Sequence, residues 1–409
     1  MQSQRDIRIL RELAKRYAEV CQKETYAERR ALWRKHNSLI KTRPLIYVRW
    51  LAAWHEAPES HLECEDPFFR RHEEFLRQML FQDTLEDDYV LEPWITQPAS
   101  YVLPPEGIWG VPFGRTPTTR PGGSWKYDPP LKRLEDIEKL VAPHHVIDEE
   151  ATRRNVERLQ EAVGDILTVN VERAPVYRVW NGDLSTCLAY LRGLEQVMWD
   201  MVDHPQWLHR LLAFLRDGVL TTHAEAERAG DWHLADHENQ AMPYAEELPD
   251  PRPNSESVPR RRLWAFAAAQ ELTLVSPAMH DEFMLRYQIP ILEQFGLVAY
   301  GCCEDLTHKI DLLRRLRNLR RIAVTPRADV WQCAAQIGRD YVISWRPNPA
   351  EMICCGFDPE HIRRVVRDAM EACKGLHVDI TLKDVETVQH QPERLREWVR
   401  IVRAVSDDY

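Results

Sequence analysis

Two adjacent cysteines followed by two carboxylates form the stretch of this sequence best suited to chemistry. Cys302, Cys303, Glu304 and Asp305 come directly after the apolar run Leu297–Tyr300. Such a run predicts a buried strand that opens onto a site. A deprotonated thiol is a nucleophile and a soft metal ligand, although a cysteine here can also be a small buried hydrophobic residue. Strand alternation predicts that Cys302 faces the site and that Cys303 faces away, toward a helix.

A histidine beside a glutamate is the second candidate. His237 and Glu238 follow the predicted strand Trp232–Ala235. A neutral imidazole binds zinc, and its ordinary pKa lies near neutrality. We therefore predict a catalytic centre with Cys302, in which His237 is a ligand or proton donor and Glu238 orients it or acts as a general acid. The alternative is structural: a histidine that caps a loop and a glutamate paired with an arginine such as Arg327.

Short apolar runs separated by helical segments are predicted to position these residues. This alternation is typical of a parallel sheet, and eight such steps predict an α/β fold of the (β/α)₈ barrel type. Catalytic groups of such barrels lie at the carboxyl ends of the strands. The predicted strands are Leu45–Val48, Ile166–Val171, Trp232–Ala235, Leu272–Val275, Leu297–Tyr300, Arg321–Val324, Tyr341–Ser344 and His377–Leu382. Further candidates after these strands are Arg49, Glu172, Arg173, Asp236, Asp329, Arg346, Asn348, Lys383, Asp384 and Glu386.

The chain is predicted to divide into a helical extension, residues 1–42, and the barrel, residues 43–409. The extension is charged and has apolar residues at helical spacing, which indicates one or two surface helices. A segment rich in Pro, Gly, Thr and Trp, Gln97–Pro130, predicts a long loop of the kind that forms lids or binding loops. Trp109 and Trp125 within it are expected to pin the loop to the surface.

Composition narrows the class of protein. A net charge of -10 argues against general nucleic-acid binding, and no apolar run reaches the length of a membrane span. The first residues, MQSQRDIRIL, lack the apolar core of a signal peptide, so a cytoplasmic location is expected. Nine cysteines at irregular spacing indicate free thiols. The sequence contains no GxGxxG, GxxxxGK[ST], HExxH, CxxC or GxSxG, so nucleotide cofactors and serine hydrolase chemistry lose their main support.

Three stretches carry a family resemblance. They are Met198–Pro205 before a long helical segment, Ser276–Phe283 before Tyr287–Pro290, and Ile343–Pro349. In order and spacing, the chain from Arg43 to Val402 resembles the uroporphyrinogen decarboxylase superfamily. That superfamily is one of barrels, and it includes methyltransferases that move methyl groups to or from protein-bound corrinoids.

The sequence departs from both branches of the superfamily at their functional positions. Arg49 resembles the first of two porphyrin-binding arginines, but Ala53 stands in place of the second, and Leu382 replaces a substrate histidine. A tetra-acidic porphyrinogen needs cationic partners, so a decarboxylating lyase is the less favoured alternative. The methyltransferases' three zinc ligands match Tyr300, Cys302 and Leu382 in this sequence. Only Cys302 keeps a ligand residue. Either a metal site has been rebuilt from Cys302 with Cys303, His237, Glu238 or Glu304, or the pocket works without metal.

The resemblance implies a methyltransferase that moves a methyl group between a small methylated compound and a corrinoid or thiol acceptor. Zinc, if bound, would lower the pKa of a thiol. The corrinoid would arrive on a partner protein, because the sequence lacks an Asp-x-His-x-x-Gly run. The decarboxylase branch also implies a homodimer. A non-catalytic barrel that binds a small molecule is the alternative from a different class.

Overall fold

The computed structural model of the chain describes residues 2–119, 124, 126–407 and 409. The α-helices are α1 Gln2–Cys21, α2 Glu24–Asn37, α3 Pro67–Asp83, α4 Glu149–Val163, α5 Val179–Gly182, α6 Leu184–Arg192, α7 Leu194–Asp203, α8 Pro205–Ala229, α9 Pro277–His280, α10 Arg286–Leu292, α11 Ile310–Leu313, α12 Val330–Ile337, α13 Pro359–Ala372 and α14 Glu393–Ser406. Within the described part of the chain, no helix is both long and apolar enough to span a bilayer.

The strands form one large sheet and two small ones. The strands are β1 Leu45–Val48, β2 Trp94–Pro98, β3 Gly114–Thr116, β4 Lys126–Asp128, β5 Thr168–Glu172, β6 Trp264–Ala267, β7 Leu297–Tyr300, β8 Leu319–Val324, β9 Val342–Trp345 and β10 Val378–Leu382. A six-stranded parallel sheet has the order β1-β10-β9-β8-β7-β6, β2 pairs with β5 in parallel, and β3 and β4 form an antiparallel hairpin. The α/β class is confirmed, and the arrangement is compatible with a (β/α)₈ barrel.

Two of the predicted strands are wrong. The segment Trp232–Ala235 forms no ladder: the Leu234 amide donates to Ser255 Oγ (2.9 Å) instead. Leu272–Val275 begins inside the 3₁₀ turn Gln270–Leu272, and Leu274 is 93% exposed. The strand of that apolar stretch is β6, several residues earlier, where every residue is buried on both faces as in a central parallel sheet.

Among the described residues, no hydrogen-bonded ladder joins the large sheet to the β2-β5 pair. At these strand edges, side chains bind the backbone groups instead. Asp88 and Asp87 accept hydrogen bonds from the Ile46 and Val48 amides of β1, at 2.8 and 2.9 Å. On β5, the Asn254 side chain accepts from the Val171 amide and donates to the Val169 carbonyl. Backbone groups that a ladder would satisfy are thus satisfied by side chains.

The N-terminal helices share a core with the parallel strands. The buried face of α1 includes Leu10, Ala14 and Tyr17, and it belongs to the same apolar cluster as Leu45 and Tyr47 of β1. At the end of α2, His36 lies 3.1 Å from Asp379, near the start of β10. The division at residue 42 stays a prediction, since the extension is packed as part of the main body.

The loop between β2 and α4 carries the predicted anchor. Trp109 is fully buried and contacts the ring of Tyr177 edge-on, with centroids 5.1 Å apart. Its role as a pin for this loop is confirmed. Trp125 lies outside the described residues. A strand pair, β3 and β4, gives the loop more order than its composition predicts.

Candidate active site

A cavity of ≈ 350 Å³ lies at the carboxyl ends of the parallel strands. It collects side chains that follow β1, β6, β7 and β10, as the barrel prediction required of a site. Its lining residues are Arg49, Leu51, Ala52, Trp180, Gln240, Gln270, Cys302, Cys303, Lys383 and Asp384. Thiols, cations and amides therefore meet in one place, although they are far apart in the sequence.

A glycine turn brings both cysteines to this cavity. Gly301 follows β7 with φ +101°, and a Cβ there would lie only 2.9 Å from the Ala323 Cβ and 2.8 Å from Leu306 Cδ1. The chain leaves the strand at this point, so alternation no longer applies to the next residues. The Sγ atoms of Cys302 and Cys303 lie 3.6 Å apart, and both residues line the cavity. The prediction that Cys303 faces away from the site is therefore wrong.

Glu304 fixes the loop that carries the thiols. Its carboxylate is fully buried and accepts hydrogen bonds from the amides of Cys302 (2.7 Å) and Ala269 (2.8 Å). Burial raises the pKa of this carboxyl. Because both oxygens are occupied by backbone amides, Glu304 positions Cys302 and joins the end of β7 to the segment after β6.

Three donors surround the sulfur of Cys302. Lys383 Nζ lies 3.1 Å away, the Cys303 thiol 3.6 Å away and Gln240 Nε2 3.8 Å away. The same ammonium is 3.4 Å from the Cys303 sulfur and 3.1 Å from Asp384 Oδ2. Lys383 thus donates hydrogen bonds to both sulfurs and forms an ion pair with Asp384.

These contacts make Cys302 the ionised member of the thiol pair. The hydrogen bond from Cys303 acts first, followed by the charges of Lys383 and Arg346, and together they outweigh burial and lower the pKa of Cys302 to about 5. The pKa of Cys303 is raised, because its proton is held in the bond to the Cys302 sulfur and because the thiol is partly desolvated. The two shifts favour a thiolate at Cys302 and a thiol at Cys303.

The two predicted arginines have different surroundings. Arg346 is buried beneath the loop, where it donates to the Cys302 carbonyl and, at 3.2 Å, to Gln240 Oε1. Arg346 therefore holds the Cys302 backbone and the Gln240 side chain in place from the buried side of the loop. Arg49 lines the cavity with an exposed side chain, and no hydrogen bond or ion pair joins that side chain to the described residues. Its positive charge is available to a ligand.

His237 and Glu238 do not join Cys302. The Trp264 amide donates to His237 Nδ1 (3.2 Å), and Nε2 donates to the Pro249 carbonyl (3.1 Å) in the tautomer these contacts require. Burial lowers the pKa of His237 to about 4. Glu238 pairs with Arg178 at 2.6 Å rather than with Arg327. Neither residue lines the thiol cavity, so the predicted triad is not assembled in this structure.

The donor set at the thiols does not fit zinc. Among the described residues, no group of three or more His, Cys, Asp or Glu side chains is arranged to hold a metal ion. Both ring nitrogens of His237 already have backbone partners, and the cation beside the two sulfurs is the Lys383 ammonium. A second positive charge there would be repelled by the first.

Several site residues were difficult to predict. Lys383 could be predicted only as one of many polar residues after strands, and nothing in the sequence connected it to the cysteines. Gln240 lies in the irregular segment after His237, with φ +57°, and no motif points to it. Ala53 and Leu382 are both fully buried and do not line the cavity.

Fold and site together define an α/β protein with parallel strands and a cavity at their carboxyl ends, where two cysteines contact a lysine. Within that class, the solved structure of a methyltransferase from Methanosarcina mazei has a similar fold, with a TM-score of 0.52. The likeness covers 93% of this chain and 97% of that one, at 11% sequence identity, so it concerns the fold alone. No family model matches the sequence. No curated protein matches it either.

Proposed function

We propose that the chain is a methyltransferase that moves a methyl group between a small methylated compound and an acceptor. The acceptor is a corrinoid on a partner protein or a thiol. The likeness to a methyltransferase over nearly the whole chain supports this proposal. It also supports a closed (β/α)₈ barrel, in which β2 and β5 complete the ring with the six-stranded sheet. The observation that carries the function is the 3.1 Å contact of the Lys383 ammonium with the Cys302 sulfur at the cavity.

A thiolate is the group that accepts a methyl group most readily among protein side chains. In the proposed step, the Cys302 sulfur attacks the methyl carbon, and a C–S bond forms as the bond to the leaving group breaks. The leaving group takes the electron pair, so nothing is oxidised or reduced. In the second half, a nucleophilic acceptor removes the methyl group from the thioether and the thiolate is restored. Lys383 stabilises the negative sulfur before and after the transfer.

Lys383 takes the role that the resemblance gives to zinc. A metal would keep the thiol ionised by direct bonding, whereas an ammonium ion 3.1 Å away does so by charge and hydrogen bonding. The Cys303 thiol adds a second donor. It can also supply a proton to a basic leaving group, since it holds its proton at neutral pH.

The rest of the cavity suits a small ligand with a negative group. Arg49 offers an uncompensated guanidinium, the amides of Gln240 and Gln270 offer hydrogen bonds, and Trp180 offers a half-exposed aromatic wall. Such a cavity, with few polar groups placed around an apolar surface, is typical of small-molecule sites. We propose that Arg49 binds an anionic part of the substrate or of the incoming partner.

A demethylation assay tests the proposal. The purified full-length chain is mixed with methylcobalamin and a small thiol, and loss of the methyl–cobalt bond is followed by absorbance. Wild type should accelerate the loss, and Cys302→Ser should abolish the acceleration. Cys355→Ser is the matched control, because Cys355 is also adjacent to another cysteine but lies after the π-helical turn Ala350–Cys354, outside the cavity.

Each alternative gives a different result in this experiment. A non-catalytic binding barrel would bind ligand without any loss of the methyl–cobalt bond in wild type. A decarboxylating lyase would consume uroporphyrinogen. We do not expect this cavity to bind that tetra-acidic molecule, because Arg49 is the one arginine among the described residues that line it. Cytoplasmic location, a corrinoid-protein partner and a homodimer stay parts of the proposal; sedimentation alone and with a corrinoid protein measures the last two.

A further inference from the structure

The two sulfurs at the thiol cavity are close enough to react with each other. After the turn at Gly301, the Sγ atoms of Cys302 and Cys303 lie 3.6 Å apart. A disulfide needs a separation of about 2.0 Å, so a short movement of the two side chains brings the sulfurs within bonding distance. Cys303 is exposed and both residues line the ≈ 350 Å³ cavity, so a small reagent from solvent reaches the pair.

A second pair of adjacent cysteines in the chain lacks this arrangement. Cys354 ends the π-helical turn Ala350–Cys354, and Cys355 follows it. Cys354 is half-buried and Cys355 is exposed, so this pair is also open to solvent. Within the described ranges, no hydrogen bond joins the sulfurs of Cys354 and Cys355 to each other or to a cation. Adjacency in the sequence is therefore not enough to bring two sulfurs together.

Lys383 places a positive charge beside both sulfurs of the first pair. Its Nζ lies 3.1 Å from the Cys302 sulfur and 3.4 Å from the Cys303 sulfur. This charge favours the thiolate, which is the form of cysteine that oxidants attack. A second thiol held in contact with the first is the resolving group that turns a sulfenic acid into a disulfide. The first pair thus has both groups that reversible oxidation requires.

We propose that Cys302 and Cys303 are a site of reversible oxidation by hydrogen peroxide, at which the two neighbouring sulfurs form a disulfide. In the first step the Cys302 sulfur attacks a peroxide oxygen; an S–O bond forms, the O–O bond breaks and hydroxide leaves. In the second step the Cys303 sulfur attacks the Cys302 sulfur; the S–S bond forms, the S–O bond breaks, and the hydroxyl leaves as water with the Cys303 proton. The sulfurs lose two electrons, and the peroxide gains them.

The strain of this disulfide makes it easy to reduce. The Cα atoms of adjacent residues are only about 3.8 Å apart, whereas ordinary disulfides span roughly 4.4–6.8 Å. Strained disulfides are the labile and regulatory ones. While the bond lasts, Cys302 has no thiolate to accept a methyl group, so peroxide stops methyl transfer and a small thiol restores it. This regulation rests on the proposed function, whereas the formation of the disulfide does not.

Peptide mass spectrometry of the full-length protein tests the proposal in one digest. Trypsin releases Cys302 and Cys303 in residues 287–309, and Cys354 and Cys355 in residues 340–363, with no other cysteine in either peptide. The protein is treated with hydrogen peroxide at pH 6, and the remaining thiols are blocked with iodoacetamide. The fraction of each peptide that has lost two hydrogens measures its disulfide.

The first peptide should convert roughly tenfold faster than the second, because the charge of Lys383 favours a thiolate at a pH where ordinary thiols are protonated. Dithiothreitol should reverse the change. In Cys303→Ser, no disulfide should form and dimedone should trap a sulfenic acid at Cys302, whereas Cys355→Ser, the matched control, should leave the first peptide unchanged. Equal rates for the two peptides, a disulfide to another chain, or no dimedone adduct in folded Cys303→Ser would overturn the proposal.

The outcomes separate this site from the proposed function. With no small thiol added, the reduced protein should take up a methyl group at Cys302 from methylcobalamin, and the oxidised protein should take up none. A reversible disulfide in a protein that is never methylated would keep the oxidation site and reject the methyltransferase. Methylation of Cys302 in a protein that forms no disulfide with peroxide would keep the methyltransferase and reject the oxidation site.

Discussion

Replacing Lys383 with methionine removes the positive charge beside the thiols and keeps a side chain of similar length. The wild-type ammonium lies 3.1 Å from the Cys302 sulfur. Two unit charges at this distance attract by about 5 kcal/mol at an effective dielectric constant of ~20. One pKa unit corresponds to ~1.4 kcal/mol, so the upper limit of the effect is about four pH units.

The net effect should be smaller than this limit. The Cys303 thiol, Gln240 and Arg346 stay in place in the variant, and part of the attraction is offset by the desolvation of the lysine itself. We therefore expect the pKa of Cys302 to rise from about 5 in wild type to about 7 in Lys383→Met, a change of about two pH units. Because the group is acidic, the thiolate is lost as the pH falls through this value.

The pH dependence of alkylation measures the change. Cys302 is alkylated with iodoacetamide at a series of pH values, and fragment ions in mass spectrometry separate it from Cys303. The midpoint of the rate profile should be near pH 5 in wild type and about two units higher in the variant. Lys374→Met is the control, since Lys374 is exposed and pairs with Glu371 (3.5 Å) away from the cavity. Identical midpoints for wild type and Lys383→Met would refute the electrostatic account.

Three further substitutions test how the site is built. Gly301→Ala should lower the melting temperature more than Gly356→Ala: both have positive φ, but only Gly301 has neighbours within 3 Å of an added Cβ. His237→Ala should cost about 2 kcal/mol in the free energy of unfolding, measured with denaturant, because two backbone partners are left buried, and it should leave Cys302 alkylation unchanged. Cys303→Ala should raise the alkylation midpoint of Cys302 and change the free energy of unfolding by less than about 1 kcal/mol. An unchanged midpoint would show that the Cys303 thiol does not donate to the Cys302 sulfur.

The strands show what the sequence could predict of the fold. β1 and β7 are short apolar runs bounded by turns or polar residues, and such runs predict buried parallel strands well. β10 was predicted although Asp379 and Thr381 interrupt its apolar residues. β6 was missed because Leu263–Val275 holds two apolar runs on either side of Gln270 and Glu271, and periodicity cannot tell which of them pairs. Trp232–Ala235 has the composition of a strand, but its backbone groups bond to the Ser255 hydroxyl, to Asp236 and to the single amide of Val258 rather than to a neighbouring strand. Pairing is a tertiary property that composition does not contain.

The position of the site could be predicted from the sequence, but the contacts between its side chains could not. Cys302 and Lys383 were both candidates because each follows a strand of the parallel sheet. Their 3.1 Å contact depends on the turn at Gly301, which only the three-dimensional structure shows to be crowded. His237 had the right chemistry for a ligand, but its lone pair and its proton are both used by the backbone. Residue type fixes what a side chain can do, whereas its neighbours fix whether it is available.

The end of β10 supplies the positive charge at this site. β10 buries Leu382 completely, at the position where the resemblance expected a metal ligand, and alternation turns the next residue, Lys383, to the cavity. A buried thiolate needs a positive partner, because an isolated anion in a low dielectric would take up a proton instead. With the ligand position apolar, the charge must come from a neighbour, and Lys383 supplies it while Asp384 balances its outer side at 3.1 Å. The end of β10 thus pairs a buried apolar residue, Leu382, with an ammonium that places a fixed positive charge 3.1 Å from the Cys302 sulfur.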